Sequence, residues 1–304
     1  MNRLGSSLVA AAALIGVLTA CEAEVASGTN SPATRGSAPT RVLPTNATAV
    51  DIVFDLVGPE RVVAVPDTVA DYATVALDLE YWKGDRVFAE LSAEVLLALD
   101  PDLVVVSPWQ DQSTIDRLVE SGIEVMELPP VSELDDIREA IKMTGAALHA
   151  EEQAAELLTD FNARVAKLEK AAQANEKVTG LVYTNYGSGG WTAGSGTTAH
   201  HLLELAGVEN VAATAGRVGH DGVDIETLLD MDPYILVISK PSRDYGVTRA
   251  YLEGEKALAS LEAIAEDRII ELPSGLFSTA SHHVLDAAEL LAREVGALRT
   301  RAAK

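Results

Sequence analysis

Short unbroken apolar runs alternate with amphipathic stretches along most of the chain. The clearest run is LVVVS at 103–107, and such a run is typical of a strand that is covered on both faces. Amphipathic stretches that predict helices lie at 110–121 and 131–148. This alternation predicts an α/β fold with mostly parallel sheets and helices on both faces of each sheet.

The alternation is interrupted once, by residues 150–175. AEEQAAELLTDFNARVAKLEKAAQA contains no Gly and no Pro and carries an apolar stripe at helical spacing, which predicts one long, rigid helix. The strand and helix pattern then restarts with TGLVYTNY at 179–186. We therefore expect two Rossmann-like lobes, residues 51–149 and 176–304, that are joined by this linker helix and enclose a ligand cleft.

One sequence motif occurs once in each predicted lobe. LSAEVLLALDPDLVVVS at 91–107 aligns without gaps with VDIETLLDMDPYILVIS at 223–239, and Glu94 corresponds to Glu226. Each copy predicts a short helix that stops before a proline, followed by a buried strand. The spacing is too long for a solenoid repeat, so it indicates one structural unit used in each of two lobes.

The N-terminal segment has the pattern of an export signal. Arg3 precedes an apolar run from Leu8 to Val17, and small residues then lead to Cys21. This run is shorter than a membrane-spanning helix requires. We expect residues 1–20 to be a signal peptide that ends at this cysteine.

Composition narrows the class of protein further. Residues 21–50 are rich in Ser, Thr, Ala, Pro and Gly, which predicts a flexible tether, with folding expected to begin near residue 50. Cys21 is the single cysteine, so a disulfide within the chain is impossible. A formal net charge of −23 argues against nucleic acid as a partner, because that function needs clustered Lys and Arg.

These features together resemble a known family. The LTAC sequence at Cys21 is similar to a bacterial lipobox, and SAEVLLALDPDLVVV, GSGGWTAGSGTT, ELAGVENVA and DIETLLDMDP follow in order. Over roughly residues 55 to 300 the chain resembles the cobalamin-, haem- and ferric-siderophore-binding proteins of bacterial ABC importers. The resemblance implies a monomeric, non-catalytic lipoprotein without a cofactor of its own. Lipid on Cys21 would hold it at the outer face of the cell membrane, in a periplasm or on a Gram-positive surface.

The resemblance also gives the repeated motif a role. In that family, a glutamate on each lobe docks to a dimeric permease whose ATPase subunits are separate chains, and the matching positions here are Glu94 and Glu226. Two carboxylates held on rigid lobes would orient the complex. The alternative is that both residues are acids favoured at helix starts by the helix dipole.

Ligand contacts are expected in the loops that follow the buried strands, because two-lobed binders hold ligands at the carboxyl ends of their strands. These loops carry four candidates: Trp109, Trp191, His220 and Phe277. The three aromatic residues predict a cleft with flat apolar surfaces. His220 is in addition a candidate axial ligand to the metal of a bound tetrapyrrole.

The predicted cargo is a ferric siderophore, with cobalamin or haem as the alternative. The nearby cations Arg217, Arg243 and Arg249 suffice for a ligand carboxylate but do not form a basic nest for a catecholate. This favours hydroxamate siderophores or a tetrapyrrole.

Three other functions remain alternatives. A metal-dependent enzyme would use His220 with Asp221, Asp224 or His282, but the chain has no HExxH, GxSxG or Cys-pair motif. A zinc or manganese receptor would need ligands from both lobes, and the first lobe has no histidine before His149. A scaffolding lipoprotein would leave the aromatic loop residues unexplained.

Overall fold

Two parallel sheets, one from each half of the chain, form the framework of the protein. The structure is a computed structural model and describes residues 37–74, 82–185, 187, 189–240 and 247–302. Residues 38–304 form one compact unit. The predicted signal peptide and Cys21 lie outside the described residues.

Among the described residues, the first half contains five strands and five α-helices. In chain order these are β1 (Val42–Pro44), α1 (Ala47–Val57), β2 (Val65–Pro66), α2 (Val69–Tyr72), β3 (Val87–Phe88), α3 (Ala93–Ala98), β4 (Leu103–Val106), α4 (Gln112–Glu120), β5 (Glu124–Glu127) and α5 (Leu134–Ala147). Strands β1, β4 and β5 form a parallel sheet in that order, and β2 pairs with β3.

The second half follows one long helix, α6 (Glu151–Gln173). Its elements are β6 (Val178–Val182), β7 (Thr184–Asn185), β8 (Gly190–Ala193), α7 (Thr198–Leu205), β9 (Val208–Asn210), α8 (Val211–Thr214), β10 (His220–Val223), α9 (Ile225–Met231), β11 (Ile235–Lys240), α10 (Val247–Gly254), α11 (Glu262–Ala265), β12 (Ile269–Pro273), α12 (Ser274–Ser278) and α13 (Val284–Ala302). The main sheet is parallel with strand order β12-β11-β6-β9, and β10, β8 and β7 form an antiparallel ribbon.

The predicted fold class is confirmed: the protein is α/β with mostly parallel sheets, and α6 connects its halves. The antiparallel ribbon was not predicted, because its strands are short and rich in glycine. The apolar sequence RVVAVP at 61–66 forms a strand only at Val65–Pro66. Earlier in this sequence, Val62 makes an isolated parallel bridge with Val42.

The repeated motif is a repeated structure. Ser92 caps α3 by accepting a hydrogen bond from the Val95 amide, and Asp224 caps α9 in the same way. Each helix leads to an aspartate in the left-handed region, Asp100 at φ 51° and Asp232 at φ 37°. A proline and then an inner strand of each main sheet follow, β4 in one and β11 in the other. The motif therefore places one short helix beside the same strand position in each half.

Helix α6 packs against both halves. Its apolar stripe is buried at Ala154, Phe161, Val165 and Leu168. These side chains belong to a single hydrophobic core that also takes in residues of α1, α5, α7 and α13. The linker is therefore built into the core, which restricts movement of one half relative to the other.

The folded chain begins before residue 50, so the predicted end of the tether is wrong. Strand β1 pairs in parallel with β4, with Val42 beside Leu103. Thr40 and Arg41 directly precede β1. Their backbone amides donate hydrogen bonds to the Asp102 carboxylate at 2.7 Å and 2.9 Å, respectively. The short apolar sequence RVLP was hidden in a polar stretch, and its partner lies some sixty residues away. Within the described ranges, no helix is long and apolar enough to cross a membrane.

Asp102→Asn should destabilise the start of the fold. Burial raises the pKa of Asp102, but hydrogen bonds from Thr40 and Arg41 outweigh it and hold this pKa below its ordinary value of 3.8. The ionised form is therefore favoured by folding. We expect a loss of about 1 kcal/mol of unfolding free energy above pH 3.8, a modest figure because the side chain is exposed. This difference should vanish as the pH falls through the lowered pKa.

Urea denaturation of both proteins across the acid range measures this effect. Asp100→Asn is the matched control, because its carboxylate is 92% exposed and lies 3.6 Å from the Arg41 Nε. The control should change stability by less than about 0.5 kcal/mol. An equal loss in the two variants would contradict the role given to Asp102.

Candidate functional site

A cleft of about 630 Å³ opens where the carboxyl ends of strands from both halves meet. Its described lining comprises Trp109, Val131, Ser132, Val182, Thr184, Trp191, Thr192, Ala193, Gly196, Thr197, Thr198, Ala199, Gly219, His220, Phe277, Ser278 and Ala280. This volume lies within the range of small-molecule sites.

The structure brings all four predicted contact residues to this one cleft: Trp109, Trp191, His220 and Phe277. Trp109 is 83% exposed and Trp191 is 50% exposed. Large indole rings held in solvent at the mouth of a cleft offer apolar area that a ligand would cover. Their part in binding stays a prediction.

Local structure fixes where these side chains lie. The Ser107 hydroxyl accepts a hydrogen bond from the Trp109 amide at 3.2 Å, which stabilises the turn after β4. On α12, which carries Phe277, the Ser274 hydroxyl donates to the Asp71 carbonyl at 2.6 Å. This second bond attaches α12, the helix that carries Phe277, to the first half of the chain.

The antiparallel ribbon places the other two. Strand β10 pairs with β8, so that His220 lies beside Ala193 and Gly222 beside Trp191. The Thr192 hydroxyl donates to the Val182 carbonyl at 2.7 Å and attaches the ribbon to β6. The ribbon therefore holds Trp191 and His220 over the end of the main sheet.

His220 is an exposed imidazole at the cleft wall. Within the part of the chain that the structure describes, its ring makes no hydrogen bond. Its ring nitrogens are therefore available to a ligand, as donor or as acceptor.

Apart from this imidazole, the described lining carries no ionisable side chain. The Arg217 guanidinium, which lies close by in the sequence, donates to the Asp221 carboxylate and to the Gly222 carbonyl. Arg249 is engaged by Glu253 and Asp267 and lines a different pocket. Arg243 lies outside the described residues. Apart from His220, the described lining of the cleft thus consists of aromatic, aliphatic and hydroxyl-bearing residues and glycine.

Sequence reasoning missed one wall of the cleft. Val131 and Ser132 follow β5 and line the site, but PPVSEL was interpreted as the start of a helix. The rule that ligands meet the carboxyl ends of parallel strands applies to β5 as well and would have found them. Thr197, another lining residue, caps α7 by accepting a hydrogen bond from the His200 amide and donates to the Gly194 carbonyl at 2.8 Å.

The two predicted docking residues lie on equivalent helices. Glu94 and Glu226 are both exposed and both occupy the first turn of a capped helix, α3 and α9. Glu94 pairs with the Arg117 Nη1 at 2.6 Å. The hydrogen bond from its own amide, and then the charge of Arg117, lower the pKa of Glu94 below its ordinary value.

The residues proposed for a metal-dependent enzyme are not brought together. The His282 side chain is buried, bonds to Asp55 at 2.6 Å and is absent from the described lining of the cleft. Asp221 is engaged by Arg217, and Asp224 caps α9. His220 therefore has no partner from that set in the described structure.

Sequence comparison finds a family and curated relatives, two of which are described here. A family profile described as Periplasmic binding protein matches residues 42–276. The Cobalamin-binding protein of Halobacterium salinarum is 26% identical over 209 residues, which cover 68% of this chain and 56% of that protein. The chain thus spans little more than half the length of this relative. The Vitamin B12-binding protein of Pectobacterium atrosepticum is 23% identical over 271 residues, or 86% of this chain and 90% of that one.

Solved structures share the fold. A periplasmic haem-binding protein from Roseiflexus sp. RS-1 matches with a TM-score of 0.71 and 21% identity, covering 84% of this chain and 97% of that one. An ABC-type Fe3+-hydroxamate transport protein from Saccharomonospora viridis matches with a TM-score of 0.67 and 24% identity, covering 85% and 94%. This chain therefore shares its two-lobed fold with both of these solved structures.

Gly194→Ala should disrupt the ribbon. An added Cβ would lie 2.1 Å from the Arg217 carbonyl oxygen, so the backbone beside His220 would have to move. We expect a loss of about 1–3 kcal/mol in unfolding free energy, measured by chemical denaturation. Gly222→Ala is the matched control in the same ribbon, because nothing lies within 4 Å of its added Cβ. Equal stability of the two variants would show that this close approach is not a constraint.

Proposed function

We propose a cargo and a docking mode for this chain, which belongs to the periplasmic binding protein family. Proteins of this family are extracytoplasmic solute-binding proteins of ABC import and are not enzymes. The cargo we propose is an uncharged metal chelate with a broad apolar face. Cobalamin is the first candidate and a ferric hydroxamate siderophore is the second.

The observation that supports this cargo is the aromatic lining of the cleft, in which His220 is the one ionisable side chain among the described residues. Trp109, Trp191 and Phe277 present flat apolar surface that would pack on a macrocycle or on the aliphatic arms of a chelator. A strongly anionic ligand would need cations to offset its desolvation. Apart from His220, the described lining offers no side chain that can carry a positive charge, and Arg217 is already engaged. Haem, with two propionates, and ferric catecholates therefore fit less well.

Cobalamin is placed first because of the curated relatives, which are named as cobalamin-binding and vitamin B12-binding proteins. Its peripheral amides would find hydroxyl partners in Ser132, Thr184 and Thr198 at the cleft wall. His220 would hydrogen-bond to the cargo or approach its metal from the ribbon side.

A ferric hydroxamate is the second candidate. These complexes also lack the high negative charge of catecholates, so the same lining suits them. One structural neighbour is described as an Fe3+-hydroxamate transport protein. The two cargoes differ in how well their shapes would fit the cleft. A direct titration with each of them compares their affinities.

Delivery would use the two equivalent helices α3 and α9. Glu94 and Glu226 would each meet a basic group on one subunit of a permease dimer, with separate ATPase subunits behind it. This docking mode would account for the repeated motif, because a two-subunit partner needs one contact from each half. Lipid on Cys21 would keep the receptor at the outer face of the cell membrane. The shared core across both halves implies that the receptor binds cargo with small lobe movement.

Direct titration tests the cargo. Isothermal calorimetry of the chain after Cys21 should show saturable binding of cobalamin or of a ferric hydroxamate, with weaker binding of haem and ferric catecholates. Trp109→Ala and Trp191→Ala should each weaken binding by about fivefold, since a stacked aromatic contributes roughly 1 kcal/mol. Val119→Ala is the control, because Val119 is 56% exposed on α4 and absent from the lining. Preferential binding of haem or a catecholate would refute the argument from charge.

The docking mode is tested by a double variant. Glu94→Ala with Glu226→Ala should leave cargo affinity unchanged and abolish uptake of labelled cargo by cells that rely on this receptor. The matched control is Glu120→Ala with Asp230→Ala, which removes two exposed acids from α4 and α9 and preserves uptake. If the first pair weakened cargo binding, or if the two pairs had the same effect on uptake, the docking role would be wrong.

A further inference from the structure

A polar cluster lies where α1, α6 and α13 meet, inside the contact between the two halves of the protein. Asp55 comes from α1, His282 and His283 immediately precede α13, Asp286 lies in its first turn, and Arg164 comes from α6. None of these residues belongs to the described lining of the cleft. The cluster is therefore separate from the proposed cargo site.

The three residues that face one another are a carboxylate and two imidazoles. The Asp55 Oδ2 lies 2.6 Å from the His282 Nε2 and 3.7 Å from the His283 Nε2. One ligand atom from each of the three residues lies within 4.8 Å of the other two. A small shift of the Asp55 carboxylate would allow a single ion to contact all three.

Asp286 and Arg164 fix the orientation of the His283 ring on the side away from Asp55. Its Nδ1 donates to the Asp286 Oδ2 at 2.5 Å, since a carboxylate can only accept. Asp286 is itself held by the Arg164 Nη2 at 2.5 Å. With the proton on Nδ1, the Nε2 of a neutral His283 turns its lone pair toward Asp55. A histidine that binds a metal through one ring nitrogen usually donates the proton of the other to a carboxylate in this way.

Two buried histidine nitrogens lack hydrogen-bond partners among the described residues: the Nε2 of His283 and the Nδ1 of His282. The His282 side chain is only 4% exposed. Buried polar atoms without partners are rare in folded proteins and call for an explanation. A metal ion beside Asp55 would accept the lone pair of the His283 Nε2 and so satisfy that nitrogen.

We propose that Asp55, His282 and His283 bind a divalent transition-metal ion of the zinc class, which joins the two halves of the protein. Imidazole ligands favour zinc and its neighbours over magnesium or calcium, which prefer oxygen. The Asp55 side chain is 39% exposed and gives the ion a path from solvent. The ion is a structural element and not the cargo, because it cross-links α1 to the start of α13.

The test is a metal titration of the full chain, expressed without a polyhistidine tag. Every sample carries Cys21→Ser, because a thiol would itself bind zinc. After treatment with a chelator, Zn²⁺ should bind saturably. Co²⁺ in its place should give the visible absorption of a low-coordinate nitrogen and oxygen site. At a hundredfold excess over its Kd, zinc should raise the melting temperature by roughly 5–10 °C.

Three variants locate the site. Asp55→Asn and His283→Gln should each lower zinc affinity at least about tenfold, and Asp286→Asn, which only orients His283, should lower it about 10–100-fold. The matched control is His201→Gln with Glu133→Gln, which removes another histidine and carboxylate pair between the halves and should leave zinc affinity unchanged.

The outcome turns on Asp55→Asn, the most exposed and nearly isosteric change, after its metal-free form is shown to melt cooperatively. Absence of saturable binding to the parent chain would overturn the proposal. So would equal affinity in parent, Asp55→Asn and Asp286→Asn, which would show an adventitious ion elsewhere. Neither readout requires cargo or permease, so the result is independent of the proposed function.

Discussion

The burial of α6 against both halves is the constraint on which the rest of the structure depends. Its apolar stripe, with Phe161 at the centre, belongs to one core that extends from α1 to α13. Polar contacts reinforce this junction: the Ser281 hydroxyl donates to the Asp51 carboxylate across 230 residues of sequence, and Arg164 bonds to Asp286. Separating the halves would expose this surface, so we expect a preformed cleft, in which a bound solute would incur little ordering cost.

The charge of the molecule and the lining of its cleft differ in character. The chain carries a formal charge of −23, yet the described wall of the cleft is aromatic and hydroxyl-bearing. An acidic exterior repels anions at long range and is indifferent to an uncharged solute. Capture of an uncharged chelate by such a protein would depend weakly on ionic strength, because no net attraction between charges guides it.

Sequence patterns predicted those parts of the fold that depend on local periodicity. The strand at β4, the helix α6 and the two copies of the repeated motif follow from apolar spacing, capping residues and prolines. The four cleft residues could be predicted because parallel strands bring their carboxyl ends to one edge. The parts of the fold that could not be predicted depend on contacts between residues far apart in the sequence. Strand β1 depends on Asp102, and the ribbon depends on the close approach of Gly194 to Arg217. The cluster at Asp55 depends on His282, which lies 227 residues later.

The length of α6 has a consequence for how such a chain tolerates insertions and deletions. An α-helix turns about 100° per residue, so one residue added within Glu151–Gln173 would rotate one half relative to the other by that angle. The rotation would move the buried stripe out of the core and change the angular relation between α3 and α9. Exposed loops absorb extra residues at small cost, whereas this connection sets a fixed length. Changes of length should therefore accumulate around α6 and not within it.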